Sequence, residues 1–334
     1  MNKTFTLQKQ LFLYSYKKRI PLYSVVELTY RCNLNCIHCY IPQSYRSYKE
    51  LTTKEVKNVI YSIYKLGGLY LVFSGGEPFL RKDIFDLIDY AKSLNFVVVL
   101  FSNGTLITKK IAKKILKSKV DKVEISIYGD KSTHNKFVGK DVFDKVLTAI
   151  CILKDFGINT AIKTVVTKEN LNDFLKLKLI SQKLNVELKT DFVISAKNNG
   201  DNSNLELMLE EKDLLKFFKE NRLNFKNFSK KKNLKSLLCS AGFNLVCVSP
   251  KGDVYPCVAF PYALGNVKYN TFEDIWYDKN FIIKMIDKDN YKECFSCDLF
   301  RFCNRCPGMC FVETGSFYGC SKVLKRVSYV LSQI

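Results

Sequence analysis

Six apolar, β-branched segments alternate with amphipathic segments in the first two thirds of the chain. The apolar segments are YSVVELTY (23–30), LYLVFSGG (69–76), FVVVLFSNG (96–104), KVEISIYG (122–129), NTAIKTVVT (159–167) and VELKTDFVIS (186–195). Helix-like segments follow them at 53–66, 83–94, 108–117, 141–155, 170–184 and 209–221. Continuous apolar strands that alternate with helices predict βαβ units and a parallel sheet. The sequence therefore predicts an α/β fold, a partial (β/α)6 barrel similar to a TIM barrel.

The chain contains 13 cysteines, an odd number that argues against a fully paired disulfide framework. Cys32, Cys36 and Cys39 lie together in RCNLNCIHCYIP (31–42), in the loop after the first strand. In barrels of this kind the chemistry lies at the carboxyl ends of the strands. The polar, glycine-bearing segments SGGEP, SNGT and SIYG end the next three strands. We therefore expect the four segments to converge on one rim.

Three chemistries fit cysteines at this spacing: a disulfide knot, a zinc site, or the ligands of an iron–sulfur cluster. Structural zinc sites use four ligands, and catalytic zinc sites usually include histidine or a carboxylate. His38 lies between two of the cysteines, where it cannot easily reach the same metal. Three thiolates on a [4Fe–4S] cluster leave one iron open to an outside ligand.

The composition and charge of the chain indicate which kinds of partner and compartment to expect. The formal net charge is +21, but only eight of the 53 basic residues are arginine, the usual side chain for phosphate and base contacts. We therefore expect no nucleic-acid partner and interpret the lysines as solvated helix faces, with attraction of an acidic partner such as a charged peptide as the alternative. No apolar run reaches the length of a membrane span, and the start of the chain lacks a signal-peptide pattern. We expect no membrane association and a reducing cytoplasm.

The cysteine triad, SGGEP and the six βα repeats together resemble the radical S-adenosylmethionine (SAM) superfamily over about residues 22–200. The resemblance implies that Cys32, Cys36 and Cys39 hold a [4Fe–4S] cluster whose open iron binds SAM. It also implies a reaction. Reductive cleavage of SAM yields methionine and a 5′-deoxyadenosyl radical, which abstracts hydrogen from the substrate.

The resemblance also implies a set of SAM-binding residues. They are Ser74, Gly75, Gly76, Glu77, Asn103 and Ser126. Gly75 and Gly76 are expected to let the backbone approach the methionine part of SAM, because they lack a Cβ. Glu77 is expected to accept a hydrogen bond from the SAM amino group. Asn103 and Ser126 are expected to contact the ribose or the carboxylate, although ordinary turn chemistry also explains their segments.

Nine further cysteines lie near the other end of the chain. They are Cys239, Cys247, Cys257, Cys294, Cys297, Cys303, Cys306, Cys310 and Cys320. On spacing alone they fit two zinc sites. Together with GDVYPC and LGNV they resemble the SPASM extension of radical SAM enzymes, which binds two auxiliary [4Fe–4S] clusters. The prediction is thus a barrel at 22–222 and a small cysteine-rich iron–sulfur domain at 236–334, with three clusters in total.

The resemblance divides these cysteines between two clusters but leaves one residue over. Cys239, Cys247 and Cys257 with one later cysteine are expected to hold one cluster, and Cys294, Cys297, Cys303 and Cys320 the other. The family spacing for the remaining ligand falls on Pro307, between Cys306 and Cys310. We favour Cys306 as the ligand, which leaves Cys310 as a spare or substrate-facing thiol. Cys151 lies in a helical pattern and is expected to be a small core residue.

The resemblance implies an enzyme that modifies a peptide or protein side chain, by crosslink or thioether formation in a ribosomally made peptide. Alternatives are an anaerobic sulfatase-maturating enzyme, a non-peptide radical SAM dehydrogenase, and an electron carrier without SAM chemistry. Val258 stands where sulfatase maturases have an aspartate, so Asp253 is only a weak catalytic candidate, as is Cys310. The expected partners are a peptide or protein substrate and a flavodoxin or ferredoxin. Only about 22 residues precede the first strand, so any leader peptide would require a separate binding protein or the basic surface.

Overall fold

Six parallel strands form the first part of the sheet, as the sequence predicts. The structure is a computed structural model that describes residues 3–221 and 239–334. These strands are β1 (Tyr23–Thr29), β2 (Tyr70–Gly75), β3 (Val97–Ser102), β4 (Lys122–Ser126), β5 (Thr160–Val165) and β6 (Glu187–Asp191). Each pairs in parallel with its sequence neighbour. The predicted partial (β/α)6 barrel is therefore confirmed.

The helices between the strands begin and end close to the predicted segments. The α-helices are α1 (Lys3–Lys18), α2 (Thr53–Lys65), α3 (Ile84–Ser93), α4 (Lys109–Lys117), α5 (Lys131–Val138), α6 (Phe143–Asp155), α7 (Phe174–Leu184), α8 (Glu211–Glu220), α9 (Phe272–Tyr277), α10 (Asn280–Ile286), α11 (Lys292–Phe295), α12 (Pro307–Thr314) and α13 (Lys322–Ser332). The helical pattern did not predict α1 or α5. Within the described residues, no helix combines the length and apolar character needed to cross a bilayer.

The cysteine-rich part adds three strands to the same sheet. They are β7 (Leu245–Val248), β8 (Asp253–Tyr255) and β9 (Gly265–Asn266). The order is β6-β5-β4-β3-β2-β1-β7-β8-β9, with β7 parallel to β1 and the last two strands antiparallel. The two predicted domains thus share a sheet. Their predicted division, between 222 and 236, lies outside the described residues, as does the lysine-rich run at 226–235, and the division stays a prediction.

Alternation along the strands separates a core face from an inner face. Val26 and Leu28 on β1 pack into the main core with the helices, and the buried Glu27 between them faces the other way. The same alternation on β4 places Val123 and Ile125 in that core. Polar side chains can therefore collect on the concave side of the sheet, where the barrel would hold a ligand.

Cys151 is exposed, so the prediction that it is a core residue is wrong. Helix α6 buries Val146, Ala149, Ile150 and Leu153 against the sheet. These residues recur at the spacing of one helix face, and position 151 falls on the opposite face. The predicted helix is confirmed, but Cys151 lies on its exposed face and not on its core face.

Arg81 holds together the loops that follow β1 and β2. Its buried guanidinium donates hydrogen bonds to the carbonyls of Leu28 at 3.0 Å and Leu51 at 2.9 Å. It also binds the Asp83 carboxylate through two nitrogens, at 2.9 and 2.6 Å. This pairing lowers the pKa of Asp83 to about 2. Because one planar guanidinium bonds two carbonyls and a carboxylate, it positions the carboxyl ends of both strands.

We expect Arg81→Lys to lower the free energy of unfolding by about 1–3 kcal/mol, because a single ammonium cannot serve two carbonyls and a carboxylate together. Urea titration of anaerobically purified protein measures this change. Arg326→Lys is the matched control, because that half-exposed guanidinium bonds one carbonyl, of Leu209, at 3.1 Å. We expect the control to change the value by less than about 0.5 kcal/mol. Equal losses in the two variants would contradict this role of Arg81.

Candidate active site

A cavity of about 350 Å³ opens at the carboxyl ends of the parallel strands. Eight of the nine residues predicted to bind the first cluster and SAM line it. They are Cys32, Cys36, Cys39, Ser74, Gly75, Gly76, Asn103 and Ser126. The ninth, Glu77, lies behind the wall. The expected convergence of the four loop segments on one rim is therefore seen in the structure.

The three thiols of the first loop are free and surround one side of the cavity. The loop is held against helix α5, because the amides of Asn35 and Ile37 donate to the carbonyls of Val138 and Phe137, both at 3.1 Å. Burial raises the pKa of all three thiols; Cys39 and Cys32 raise the pKa of Cys36 further, and Cys32 raises that of Cys39. Such proximity fits ligands that give up their protons to a shared metal group.

Arg46 is a functional residue that the sequence analysis missed. Its guanidinium donates to the Asn35 side chain and to the Leu34 carbonyl, both at 2.8 Å, and it lines the cavity. Its charge opposes the effect of burial on the pKa of the Cys32, Cys36 and Cys39 thiols. Arg46 thus supplies positive charge where thiolates are needed. No motif identifies it, because it lies in a short 3-10 helix (Gln43–Ser47), seven residues beyond Cys39.

The two glycines of SGGEP allow a close backbone contact inside the protein, and their predicted role in binding SAM stays a prediction. A Cβ on Gly75 would lie 2.2 Å from the Thr29 carbonyl oxygen, and a Cβ on Gly76 would lie 2.2 Å from the Arg31 carbonyl oxygen. The amides of Gly76 and Glu77 donate to the same two carbonyls, at 2.7 and 2.9 Å. The missing Cβ atoms therefore let the end of β2 contact the backbone of the cysteine loop, while both glycines also line the cavity.

The Glu77 side chain is buried, and the structure does not bring it to the cavity surface. Its carboxylate accepts hydrogen bonds from the Ser102 hydroxyl at 2.9 Å and from the amides of Asn103 at 2.8 Å and Phe79 at 3.2 Å. Burial raises the pKa of Glu77 to about 7, and these hydrogen bonds oppose the shift. The hydrogen bond to the SAM amino group stays a prediction. Glu77 joins the loops after β2 and β3.

Asn103 connects the third strand to the cysteine loop. Its side-chain amide donates to Asn33 at 2.9 Å and lies 3.8 Å from the sulfur of Cys32. Its side-chain oxygen accepts from the Thr105 amide at 3.0 Å. A hydrogen bond to a ligand sulfur is one means by which a protein tunes an iron–sulfur cluster. Asn103 therefore contacts a predicted cluster ligand as well as the cavity.

The cysteine-rich part brings Cys239, Cys257 and Cys306 together. Burial raises the pKa of the Cys239 thiol to about 12, and the thiols of Cys306 and Cys257 add to the shift. Burial likewise raises the pKa of Cys257 to about 11, with Cys306 adding to it. Cys247 lies on β7 near Cys257. Burial raises the pKa of its thiol, and the carboxyl of Glu27 adds more to this shift than Cys257 does. Cys306 thus lies near both Cys239 and Cys257, and its role as the fourth ligand stays a prediction.

A second thiol group contains Cys294, Cys297 and Cys320. Burial raises the pKa of Cys320, and Cys297 and Cys294 add to the shift. Cys310 lies on helix α12. Its side chain is only 1% exposed, and it does not line the cavity. Its neighbours include Cys306 and Cys320. In residues 3–221 and 239–334, no three His, Cys, Asp or Glu side chains converge closely enough to hold a single metal ion.

Asp253 does not lie at the cavity. Its carboxylate accepts from the Asn266 side chain at 2.8 Å and from the Tyr255 hydroxyl at 3.2 Å, and it pairs with Lys251 at 3.2 Å. These contacts fasten the β8–β9 hairpin. The two weak catalytic candidates, Asp253 and Cys310, therefore do not line this cavity.

Three charged side chains inside the sheet were also missed. Glu27, Glu124 and Lys163 each lie in the middle of an apolar strand and face inward, and the last two line the cavity. The Tyr40 hydroxyl donates to the buried Glu27 at 2.5 Å. Burial raises the pKa of Glu27 to about 7. The available signal was a single charge interrupting each apolar run, because only the concave face of such a sheet can accommodate it.

Comparison with known proteins agrees with this arrangement. The model of the radical SAM superfamily matches residues 26–178, and that of the SPASM iron–sulfur cluster-binding domain matches 239–307. An AdoMet-dependent heme synthase of Methanosarcina barkeri is 29% identical over 87% of this chain and 92% of its own. The mycofactocin maturase MftC of Mycolicibacterium smegmatis is 28% identical over 85% of this chain and 77% of its own. Streptococcus suis SuiB, solved with its precursor peptide SuiA, shares the fold with a TM-score of 0.72 and 19% identity, over 97% of this chain and 82% of its own.

The chain belongs to the radical SAM superfamily and carries a SPASM iron–sulfur domain. It is therefore an enzyme whose cofactors are SAM and [4Fe–4S] clusters. The residues present fit these cofactors. Three soft thiol donors face one opening beside the glycine turn and Asn103, and further thiols are grouped in the SPASM part.

We expect Gly76→Ala to lower iron content and SAM affinity, because the new Cβ would collide with the backbone of the cysteine loop. Iron analysis and equilibrium dialysis with SAM measure the two effects. Gly157→Ala is the control. It has a left-handed backbone with φ +69°, but no atom lies within 4 Å of a new Cβ. It should cost about 1–2 kcal/mol of stability and retain its iron. Full iron in Gly76→Ala would contradict the role assigned to this turn.

We expect Cys306→Ala to disrupt one auxiliary cluster, and Cys310→Ala to leave all clusters in place. The anaerobically reconstituted wild type should hold about twelve irons in three [4Fe–4S] clusters. Removing a ligand changes a cluster's spectrum and potential, whereas removing the buried Cys310 thiol only leaves a small cavity. Iron analysis and Mössbauer spectra of the two single variants distinguish them. Loss of iron in Cys310→Ala alone would reverse the assignment.

Proposed function

We propose that this enzyme modifies a peptide or protein side chain, forming a crosslink or thioether in a ribosomally made peptide. The observation that carries the proposal is the similarity to the maturase MftC over 85% of this chain, which includes both the barrel and the cysteine-rich part. The SuiB complex shows that this fold admits a precursor peptide in one of its members.

The open sheet supports access for a chain-like substrate. Among the described strands β6 lies at one edge of the sheet. Its last residue, Asp191, lines the cavity together with Val193, Ile194 and Ser195 of the segment that follows. A closed barrel would present only a narrow mouth, whereas an open edge leaves room for an extended peptide beside the reacting centre. The carboxyl ends of β1 to β4 then hold the cofactors, and β5 and β6 face the substrate.

The residues of the chain have separate tasks in this proposal. Cys32, Cys36 and Cys39 hold the cluster, which when bound supplies the electron for cleavage of SAM to methionine and a 5′-deoxyadenosyl radical. Arg46 provides positive charge beside these thiols. Glu77 positions the amide of Asn103, and the glycine turn sets the distance between β2 and the cysteine loop. The two thiol groups of the SPASM part hold the auxiliary clusters.

A haem-related tetrapyrrole is the second candidate substrate. The heme synthase of Methanosarcina barkeri, at 29% identity over 87% of this chain, favours it. A tetrapyrrole with carboxylate side chains would also suit a basic protein. The cavity, about 350 Å³, would have to open towards β6 to admit so large a ring. This size difference is the structural reason to place the peptide first.

Partners beyond the substrate follow from the chemistry. Each turnover requires an electron, and we propose a flavodoxin or ferredoxin as its source. A separate leader-peptide-binding protein would serve if the precursor carries a leader. Free cysteines in three groups suit a reducing compartment, so we place the protein in the cytoplasm.

The proposal is tested by anaerobic incubation with SAM and dithionite. The two probes are the short peptides encoded next to the gene and coproporphyrin III. We expect a peptide to stimulate 5′-deoxyadenosine formation and to lose two hydrogen atoms per bond formed, as measured by mass spectrometry. The triple variant Cys32→Ala, Cys36→Ala, Cys39→Ala controls for cluster-dependent chemistry and should form no 5′-deoxyadenosine. Conversion of coproporphyrin III with no peptide product would select the second candidate.

A further inference from the structure

Arg305 is a buried arginine in the middle of the cysteine-rich part. It stands between Cys303 and Cys306 in the chain and is only 8% exposed. Burying a guanidinium costs free energy unless its charge is paired and its donors are bonded. Within the described residues Arg305 forms no ion pair, and its Nη1 atom is buried without a hydrogen-bond partner. A negatively charged partner is therefore expected beside it.

The Arg305 guanidinium binds the segment that leads into Cys320. Its Nη2 atom donates to the carbonyl of Phe317 and, at 3.4 Å, to the carbonyl of Gly319, the residue before Cys320. The charge of Arg305 also opposes the effect of burial on the pKa of the Cys320 thiol. This cation therefore lies close to the second thiol group, of which Cys320 is a member.

The same guanidinium also lies close to the other thiol group, Cys239, Cys257 and Cys306. Arg305 immediately precedes Cys306, and the ring of Phe317 belongs to the apolar cluster against which Cys239 and Cys257 pack. The charge of Arg305 opposes the effect of burial on the pKa of the Cys239 and Cys306 thiols. One buried cation thus acts on both thiol groups of the SPASM part.

The contacts of Arg305 hold its charge in place without neutralising it. Its central carbon lies 4.9 Å from the ring centroid of Tyr291, a fully buried side chain three residues before Cys294. An aromatic ring attracts a guanidinium through its quadrupole and carries no net charge, and the two carbonyls carry none either. In such a partly desolvated place, the field of the cation reaches further than it would in water.

The side chains around Arg305 identify the anion that it serves. A [4Fe–4S] cluster held by thiolates carries a net negative charge, and reduction by one electron makes that charge larger. A fixed cation nearby therefore stabilises the reduced form more than the oxidised form and raises the reduction potential. Net charge and hydrogen bonds to the sulfurs are among the means by which a protein sets this potential.

We propose that Arg305 is the shared counter-charge of the two auxiliary cluster sites and raises both of their reduction potentials. It is a positioning residue, since it acts on the clusters and touches neither SAM nor the substrate. The auxiliary clusters then accept an electron more readily than the thiolates alone would allow. This inference depends on the SPASM cofactors and holds whichever substrate the enzyme takes.

The test compares Arg305→Gln, which removes the charge but keeps an amide donor for the carbonyls, with Arg305→Lys, which keeps the charge. Arg301→Gln is the matched control, because Arg301 lies in the same segment but is exposed to water, which screens its charge. All four proteins are reconstituted anaerobically as full-length holoenzymes. Iron content is measured first, and redox titration followed by electron paramagnetic resonance then gives the reduction potentials.

We expect Arg305→Gln to hold as much iron as the wild type and to require a more negative potential for reduction of its auxiliary clusters. At the wild-type midpoint, the ratio of reduced to oxidised cluster should fall about tenfold, which corresponds to about 59 mV for one electron. Arg305→Lys and Arg301→Gln should stay close to the wild-type ratio. Repeating the titration with Cys32, Cys36 and Cys39 all replaced by Ala assigns the shifted signals to the auxiliary clusters.

The remaining outcomes also decide the proposal. Iron loss from Arg305→Gln with full iron in Arg305→Lys would support it, because the charge would then be what retains the clusters. Iron loss from both variants, or an equal shift in both, would overturn it in favour of a role in hydrogen bonding and packing alone. Wild-type potentials in Arg305→Gln, or a shift of the same size in Arg301→Gln, would overturn it as well.

Discussion

The contact between the end of β2 and the start of the cysteine loop is the constraint on which the site depends. Two carbonyls, of Thr29 and Arg31, occupy the space that side chains on Gly75 and Gly76 would need. The amides of Gly76 and Glu77 bond to the same carbonyls. The buried Glu77 carboxylate then links this turn to the loop after β3, and Arg81 links it to the loop before α2. The cysteine loop thus has a defined position before any cofactor binds.

Charge inside the sheet is the second organising feature. The concave face carries Glu27, Glu124 and Lys163, one charge to a strand, and each interrupts an apolar run. Such residues are costly in a folded core unless they are paired or used. Glu27 is bonded by a tyrosine and Glu124 by a lysine, so the first two have partners. Burial at the rim also explains why the thiols there have raised pKa values, which the charge of Arg46 opposes.

Several details differ from what the sequence indicated, and each has a geometric cause. Cys151 is exposed because the phase of helix α6 turns it away from the sheet. The Glu77 carboxylate is bonded within the protein, to Ser102 and the Phe79 amide, while its predicted contact with SAM stays a prediction. Asp253 fastens a hairpin because it accepts hydrogen bonds from Tyr255 on its own strand and from Asn266 on the paired strand β9. Motifs identified the segments correctly, whereas side-chain direction was not readable from them.

The sequence by itself determined the order of strands and helices, the grouping of cysteines and the segments that meet at the rim. These follow from local patterns: the period of apolar residues and the spacing of ligands. Only the tertiary structure decided that β7 pairs with β1, so that the cysteine-rich part extends the barrel sheet. It also decided that Cys306 lies near Cys239 and Cys257, and that Arg46 and Lys163 line one cavity. Such contacts join residues far apart in the chain, and their distances depend on how the whole sheet twists and packs, which no local pattern encodes.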